Sequence, residues 1–300
     1  MLTEPPIEVA QNTPRAKQLI AAQARLYSDA KTIHHLRLAL VFVFAAAGAI
    51  AGLAMPGVRP HIGAVAGIAL LLVALVVTGV EKRRRVQAAA IQEEFDTAVF
   101  QLSWNGVSVE RPSATAVARA AARYAGGREA DWYPSTGWVV RPLDILICQA
   151  SNLGWGASMH RLWAALLGFA LALMAALVGL ATWLLHLSFA ECILALLVPA
   201  LAPAKELIDL IKTNLENAAS KETMERNITD LWKKGLAGEF VAVDSIRAVQ
   251  NCILDFRKSN AYVPDWLDRR FRQKNEAAMR SGAAALVEEA TAHGRVARLT

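Results

Sequence analysis

The sequence predicts an all-α, polytopic membrane protein with two transmembrane helical hairpins (four spans) and a helical cytosolic domain. Of its 300 residues, 55% are hydrophobic and 19% are charged, a more apolar composition than that of an ordinary soluble domain. The apolar residues gather in two blocks, roughly 37–80 and 162–203, and no segment shows a convincing strand pattern. Each block has room for two crossings, so two hairpins are the simplest arrangement.

The segment before the first block has the pattern of an amphipathic helix. Thr13-Pro14 pairs a capping residue with proline at the first helical position, which predicts a helix start. Apolar residues then recur every three or four positions, at Leu19, Ala22, Leu26, Ala30 and Ile33. We expect 1–36 to be a cytosolic segment that packs on partner helices, with a helix lying flat on the membrane as the alternative.

Residues 37–81 are predicted to form the first transmembrane hairpin. Leu38–Met55 and Ile62–Val80 are almost free of polar side chains, and each approaches the roughly 30 Å thickness of the hydrocarbon layer. The breaker cluster 56–60 separates them. Two pairs of small residues stand four apart: Gly48 with Gly52, and Gly63 with Gly67. This spacing favours close packing between the spans or between subunits, although it also arises by chance in such sequences.

A basic run follows the second span directly: Lys82, Arg83, Arg84 and Arg85. The formal charge of +6 would suit nucleic acid, but positive charge beside a span fixes its topology. We therefore expect these side chains to hold this end of the span in the cytosol, with phospholipid headgroups as a secondary partner. No nucleic-acid polymer is expected as a partner.

Residues 82–160 are predicted to be a cytosolic region of helices and aromatic loops. The second span should continue as a cytosolic helix until Asn105-Gly106, and a short alanine-rich helix should follow within 112–124. Residues 128–143 form the least regular and most aromatic part.

Residues 161–203 are predicted to form the second hairpin, with Leu162–Leu185 as span three and an outer turn at 186–188. Span four, 189–202, is short and contains Pro199, which predicts a tilt, a kink or a continuation into the next segment. The two outer turns together hold one arginine, so both termini should face the cytosol.

Residues 204–300 are predicted to form a cytosolic helical region with one apolar face and a break at Ser259-Asn260. The face consists of Ile246, Val249, Ile253 and Leu254. Pro264 should open the last helix.

Glu191 is the one carboxylate inside an apolar block, where a charge near a span centre costs roughly 2.5–3.5 kcal/mol. It lies just after the outer turn, so its side chain can reach the outer interface. The alternative is a ring of these carboxylates at the mouth of a cation-selective pore or gate. Four apolar spans cannot line a water-filled path in one copy, so a pore would need a homo-oligomer.

No catalytic or metal-binding pattern is present in the sequence. A phosphate-binding glycine loop, a zinc helix, a nucleophile elbow and a dinucleotide fingerprint are all missing. The three cysteines are far apart, and the six histidines are dispersed apart from one adjacent pair. We therefore predict neither catalytic residues nor a metal site, and expect a protein that is not an enzyme and carries no cofactor.

Five separated polar motifs carry a resemblance to a known family. They are Gln11-Asn12-Thr13 with the stretch 19–31, Glu94-Phe95-Asp96-Thr97 with Trp104-Asn105, Asp131-Trp132-Tyr133-Pro134, Cys148-Gln149-Ala150-Ser151-Asn152-Leu153, and Asn260-Ala261-Tyr262-Val263-Pro264-Asp265-Trp266. Together with the two-plus-two spacing of spans, these motifs make nearly the whole chain similar to the SMODS-associated four-transmembrane pore-forming effectors.

The resemblance implies a multi-pass protein of the bacterial inner membrane that acts in CBASS-type antiphage defence. A cognate nucleotidyltransferase would make a cyclic oligonucleotide on infection, and this signal would cause the effector to oligomerise or gate, damaging the membrane and stopping the cell. A non-conducting adaptor that recruits a partner is the alternative. A small transporter ranks last, because the hairpins share no likeness and lack mid-span charges.

A cyclic oligonucleotide carries phosphates and flat bases, so its pocket should combine Arg or Lys with aromatic stacking. Two sets of such side chains occur in the cytosolic segments. The first is Trp132, Tyr133, Trp138, Arg141 and Trp155, and the second is Arg257, Lys258 and Tyr262. We predict a ligand or gating site within 131–155, with tryptophans that merely anchor the core as the alternative.

Overall fold

The computed structural model describes residues 5–55, 57, 59–153 and 156–297. Between 59 and 75, most side chains fall outside the described part. The described residues form helices and loops, with one isolated antiparallel bridge between Val139 and Val296. The predicted all-α class is therefore confirmed.

Most of the described residues lie in long helices. These are α1 (Ile7–Ala10), α2 (Pro14–Ala54), α3 (Arg59–Phe100), α4 (Ala114–Ala121), α5 (Leu143–Leu153), α6 (Gly156–Leu184), α7 (Phe189–Cys192), α8 (Val198–Ala237), α9 (Val243–Ser259) and α10 (Asp265–Ala292). A π-helix, Ile193–Leu197, separates α7 from α8.

The chain divides into two compact units. We call Met1–Ser28, Arg84–His160 and Asn217–Thr300 the polar-core unit, and Asp29–Arg83 with Arg161–Glu216 the apolar unit. Helices α2, α3, α6 and α8 each contribute residues to both units.

The start of α2 packs into the core of the polar-core unit. The Thr13 hydroxyl accepts a hydrogen bond from the Ala16 amide at 3.3 Å, as expected for a capping residue. Leu19 and Leu26 are buried on the predicted stripe and pack with Phe95 of α3 and Ile147 of α5. The helix therefore packs on partner helices, as predicted from its periodicity.

The helix that follows the second predicted span ends earlier than predicted. It stops at Phe100, because Gln101 adopts a left-handed backbone (φ 56°) and the Leu102 amide donates to the Thr97 carbonyl at 3.0 Å. This is a Schellman termination with glutamine in the place usually held by glycine. Asn105 was wrongly expected to end the helix; its side chain instead accepts from the Val107 amide at 3.2 Å in a later turn.

The predicted apolar face and helix ends of the C-terminal region are confirmed. The four residues of the predicted apolar face of α9 are all buried. That helix ends at Ser259, and α10 begins at Asp265 directly after Pro264.

The apolar unit carries many exposed apolar side chains. Val43, Ile50, Phe169, Trp183 and Phe189 are each more than 60% exposed. An apolar surface of this kind is unfavourable in water and favourable in contact with lipid. Among the described residues, two helical stretches, Pro14–Ala54 and Leu143–Leu184, are long and apolar enough to cross a membrane.

The other two predicted spans do not meet that test in the described part of the chain. Span two lies on α3, where most side chains up to residue 75 are not described. Span four is divided between α7, the π-helix and α8. Helix α8 continues past Pro199 and Pro203 to Ala237, so the predicted continuation into the next segment is confirmed.

Gly48 and Gly52 of α2 pack on the segment around the π-helix. A Cβ atom at Gly52 would lie 3.3 Å from the Ala195 Cα atom, and one at Gly48 would lie 3.7 Å from the Pro199 Cβ atom. Pro199 lacks the N–H that an α-helix would direct to Ala195, and the residues beside it widen into a π-turn. Span one therefore packs closely on span four. The side chains around Gly63 and Gly67 lie outside the described part.

The two ends of the first predicted hairpin meet in an ion cluster. Arg37 lies 3.7 Å from Glu81 and 2.6 Å from Glu206 of α8, and His34 lies 3.3 Å from Glu81. Three helices of the apolar unit are joined by these contacts.

Candidate functional site

Two of the polar motifs that are far apart in sequence meet in the polar-core unit. Gln11 donates from Nε2 to the Tyr133 carbonyl at 3.2 Å and accepts from the Tyr133 amide at 2.7 Å. Asn12 donates to the Asp131 carboxylate at 2.8 Å and accepts from the Asp131 amide at 3.2 Å. These reciprocal bonds hold the aromatic loop against the connection between α1 and α2.

Tyr133 is a buried structural side chain. Its hydroxyl donates to Asp96 Oδ1 at 2.6 Å and accepts from Asn152 Nδ2 at 3.0 Å. Its ring lies 5.9 Å from that of Phe95 and 5.1 Å from that of Phe100. Burial raises the pKa of Tyr133 well above its ordinary value, and the neighbouring Asp96 carboxylate raises it further. The phenol therefore stays protonated and available as a donor.

Asp96 is the centre of a buried charge network. Its Oδ2 atom accepts from Arg257 Nη1 at 2.5 Å and from Gln250 Nε2 at 2.8 Å. The same Gln250 amide donates to Glu93 Oε2 at 2.9 Å, and Glu93 forms a salt bridge with Arg247. Burial raises the pKa of Glu93, and the nearby Asp96 adds to that rise. Two acids and two arginines thus balance within the core.

Three other residues of the first predicted ligand set are described by the structure, and their contacts lie outside this network. Trp138 is 57% exposed, and Trp132 packs partly buried against the core. Arg141 forms a 3.1 Å ion pair with Asp144 and donates to the Phe100 carbonyl at 3.4 Å. Trp155 lies outside the described residues. The structure brings together Tyr133 of the first predicted set and Arg257 of the second, because both donate to Asp96.

Lys221 was not predicted as a site residue; it is 8% exposed in the polar-core unit. Its ammonium lies 4.8 Å from the centre of the Phe256 ring, a cation–π distance. A Cβ atom on Gly156 would lie 1.6 Å from Lys221 Nζ, so the ammonium covers the backbone of that glycine. Burial, together with the charge of Arg257, lowers the pKa of Lys221 to about 8.

A sequence signal for Lys221 does exist. It occupies a buried position in the three- and four-residue periodicity of α8, between Ala218 and Met224. A lysine on the buried face of an amphipathic helix is unusual, and unusual positions of this kind indicate functional sites.

The basic run after the second span is not uniform. Lys82 and Arg83 are exposed, and Arg84 is half-buried. Arg85 instead donates to the carbonyls of Lys258 at 3.0 Å and Asn260 at 3.3 Å. Its guanidinium also lies 5.6 Å from the centre of the Tyr262 ring.

Glu191 belongs to a capping box at the start of α7. Its Oε2 atom accepts from the Ser188 amide at 3.0 Å and from the Ser188 hydroxyl at 2.8 Å. The Ser188 hydroxyl in turn accepts from the Glu191 amide at 3.4 Å. The carboxylate thus has a local structural role at the start of α7.

Within the described residues, no group of three or more His, Cys, Asp or Glu side chains could hold a metal ion. The side chains that gather in the polar-core unit include, besides Asp96 and Glu93, arginines, a lysine and tyrosines. These are groups that bind anions and stack on flat rings.

Comparison with known proteins agrees with the resemblance carried by the polar motifs. The model of the SMODS-associating 4TM effector domain matches residues 5–286. A Bacillus cereus protein described as a "probable CBASS effector molecule" is 26% identical over 222 residues, covering 72% of this chain and 74% of that protein. No solved structure matches the chain significantly. The family description and the two long apolar helices together indicate a membrane protein. The chain belongs to the family of SMODS-associating 4TM effector domains.

Proposed function

We propose that this chain is an antiphage effector that a cyclic oligonucleotide activates to permeabilise the bacterial inner membrane, arresting or killing the infected cell. Its family membership supports an effector role, and the relative described as a probable CBASS effector molecule supports the cyclic-oligonucleotide signal. A cognate nucleotidyltransferase supplies this signal. The effector itself catalyses no reaction.

In this proposal the chain crosses the membrane four times and keeps both termini in the cytosol. The spans are the two apolar segments of the first hairpin and the two of the second. The exposed Lys82 and Arg83 beside the second span support this topology, because positive side chains are retained in the cytosol. The second hairpin turns at 186–188 on the outer side, and the capping box at 188–191 supports a turn at this point.

The observation that carries the proposal is the buried charge network of the polar-core unit. Its two acids, Glu93 and Asp96, lie on α3, and the nearby Lys221 lies on α8; both of these helices also contribute to the apolar unit. A ligand that rearranges these charges therefore acts on helices that also include predicted spans. Differential binding of the ligand to two arrangements is the thermodynamic requirement for such activation.

Permeabilisation requires more than one copy of the chain. The side chains of the apolar unit that are exposed are mainly apolar, as at Ile50, Phe169 and Leu201. A water-filled path needs polar lining or a wide apolar opening, and one four-helix unit supplies neither. We therefore propose that the active form is a homo-oligomer with contacts between apolar units.

Dye efflux from proteoliposomes tests this proposal. The full chain is reconstituted in phosphatidylethanolamine and phosphatidylglycerol vesicles loaded with a self-quenched dye. A panel of 3′–5′-linked cyclic di- and trinucleotides is then added, and the linear hydrolysis product of each serves as its control. We expect one cyclic nucleotide to trigger efflux and its linear product to leave the vesicles tight.

Tight vesicles in spite of measurable nucleotide binding would contradict the permeabilising role. That outcome would favour a non-conducting adaptor that recruits a partner through its cytosolic helices.

A further inference from the structure

Three buried side chains, Arg257, Tyr27 and Lys221, have hydrogen-bonding capacity that the described residues leave unused. Arg257 is 8% exposed; its Nη1 atom donates to Asp96, while its buried Nη2 atom has no partner within the described part of the chain. The buried Tyr27 hydroxyl likewise has no partner there. Lys221 is equally buried and forms no ion pair with a described residue, its contact being the Phe256 ring.

These groups are close enough to act on one another electrostatically. The charge of Arg257 contributes to the lowered pKa of Lys221, after burial. Burial raises the pKa of Tyr27, and the charge of Arg257 is the largest effect that opposes this rise. Burial opposes the charge of Arg257 itself, but Asp96, Tyr133 and Tyr27 together outweigh burial and raise the pKa of the guanidinium. Arg257 therefore lies near both of the other groups.

The local charge is positive. Lys221, Arg257 and Arg85 lie on three different helices of the polar-core unit, and Asp96 is the carboxylate bonded to one of them. Arg85 donates to main-chain carbonyls of Lys258 and Asn260. A buried cation without a counter-ion is costly, and proteins retain such groups mainly where a ligand provides the missing charge.

Aromatic faces surround the same cations. Phe256 lies under the Lys221 ammonium, and the His160 ring meets Phe256 edge-on with 6.2 Å between ring centres. Tyr262 lies under the Arg85 guanidinium. A nucleotide presents a phosphate and a flat base, and proteins recognise these groups with cations and with stacked aromatic rings.

We propose that Lys221, Arg257 and Tyr27 bind a phosphodiester group of a cyclic oligonucleotide, and that Phe256 and Tyr262 flank its bases. The proposal rests on the proposed function for the identity of the ligand, while the phosphate chemistry rests on the three side chains. The Arg257 Nη2 atom and the Tyr27 hydroxyl supply hydrogen-bond donors, and the Lys221 ammonium supplies the positive charge that the phosphate neutralises.

The position of Lys221 connects this site to α6. Its ammonium covers the backbone of Gly156, the first described residue of that helix. Movement of the lysine toward a bound phosphate uncovers Gly156, so occupancy of the site changes the packing at the start of a helix that contributes to both units.

Binding measurements on the full chain in lipid nanodiscs test the site. The variants are Lys221→Met and Tyr27→Phe, and the matched control is Lys233→Met, which makes the same substitution at an exposed position of α8. The probes are 3′–5′-linked cyclic di- and trinucleotides, with inorganic pyrophosphate as the free anion. Thermal unfolding of each variant reports whether it folds.

We expect both site variants to bind the active cyclic nucleotide about tenfold or more weakly than the wild type, as a lost charge-assisted hydrogen bond requires. Lys233→Met should bind normally. Tyr27→Phe removes a single oxygen atom and should leave the fold intact. This variant therefore tests the site even if Lys221→Met folds poorly.

Unchanged nucleotide affinity in both folded site variants would overturn the site while leaving nucleotide-triggered efflux, and hence the proposed function, intact. Binding of pyrophosphate alone, dependent on Lys221, would keep the phosphate site and remove the cyclic oligonucleotide as its ligand. Binding of neither probe to the wild type would overturn both.

Discussion

Arg257 donates from Nη1 to Asp96 Oδ2 over 2.5 Å, and through this bond α9 is joined to α3 inside the polar-core unit. Asp96 has no exposed surface, and its other oxygen accepts from Tyr133 at 2.6 Å. A buried pair of this kind stabilises little compared with an apolar replacement, but the loss of one partner leaves an unpaired charge. The pair therefore makes the polar-core unit sensitive to a ligand that competes for Arg257.

Asp96→Asn should destabilise the polar-core unit strongly. The substitution leaves Arg257 buried without its counter-charge, a situation that costs about 3–5 kcal/mol in the free energy of unfolding. Denaturant titration in detergent micelles measures this change. Asp255→Asn is the control, because the Asp255 side chain is 63% exposed in its 2.6 Å pair with Lys258, and exposed pairs contribute about 0–1 kcal/mol. Equal losses in the two variants would contradict the buried-network account.

Lys221→Met should stabilise the chain near neutral pH. The pKa of Lys221 is lowered from 10.5 to about 8 in the fold, so the unfolded state binds more protons between these values. Stability of the wild type therefore rises with pH through this window, and the full cost of the buried charge is present below about pH 8. A lowering of this size corresponds to about 3 kcal/mol.

The measurement is the unfolding temperature from pH 6 to 10.5, with Lys233→Met as the control. Below pH 8 the Lys221→Met variant should be more stable than the wild type. Above pH 8 the variant should lack the rise of stability with pH that Lys221 causes in the wild type. A loss of stability at pH 7 would instead identify Lys221 as a structural residue.

Gly52→Val should disturb the packing between span one and span four. The new side chain meets Ala195, whose Cα atom would lie 3.3 Å from its Cβ atom, and overpacking of this kind costs about 1–3 kcal/mol. Gly179→Val is the matched control, because a Cβ atom at Gly179 has no described neighbour within 4 Å. Thermal unfolding in detergent compares the two, and similar unfolding temperatures would show that Gly52 is not a packing position.

Glu191→Gln separates the capping role of this residue from a pore-mouth role. A glutamine still accepts the Ser188 hydrogen bonds, so we expect a loss below about 1 kcal/mol and unchanged efflux of cationic and anionic dyes. Reversal potentials in planar bilayers provide the check. A shift from cation preference to no preference would support a carboxylate ring at the pore mouth.

The local helix signals of the sequence predicted much of the fold. The Thr13-Pro14 start, the break after Ser259 and the start after Pro264 follow from side chains at the helix ends, and these act over a few residues. The end of α3 could not be predicted in this way. It depends on a left-handed backbone at Gln101, which the burial of Leu102 makes favourable.

The candidate site was predicted less well, because Tyr133, an aromatic residue of 131–155, has a structural role. Tyr133 anchors the aromatic loop through hydrogen bonds with Gln11 and Asp96, so this tyrosine serves packing of the core. Tyr27 lies on α2 and Lys221 on α8, whereas Arg257 lies on α9, and tertiary packing brings the three side chains near one another. The buried position of Lys221 on α8 was the available signal.

Nucleotide-triggered dye efflux from vesicles that contain the wild-type chain or Lys221→Met tests the central claim most directly. We predict that one cyclic oligonucleotide triggers efflux from wild-type vesicles, and that Lys221→Met requires about tenfold or more of it for the same rate. Wild-type vesicles that stay tight at saturating nucleotide would contradict the account.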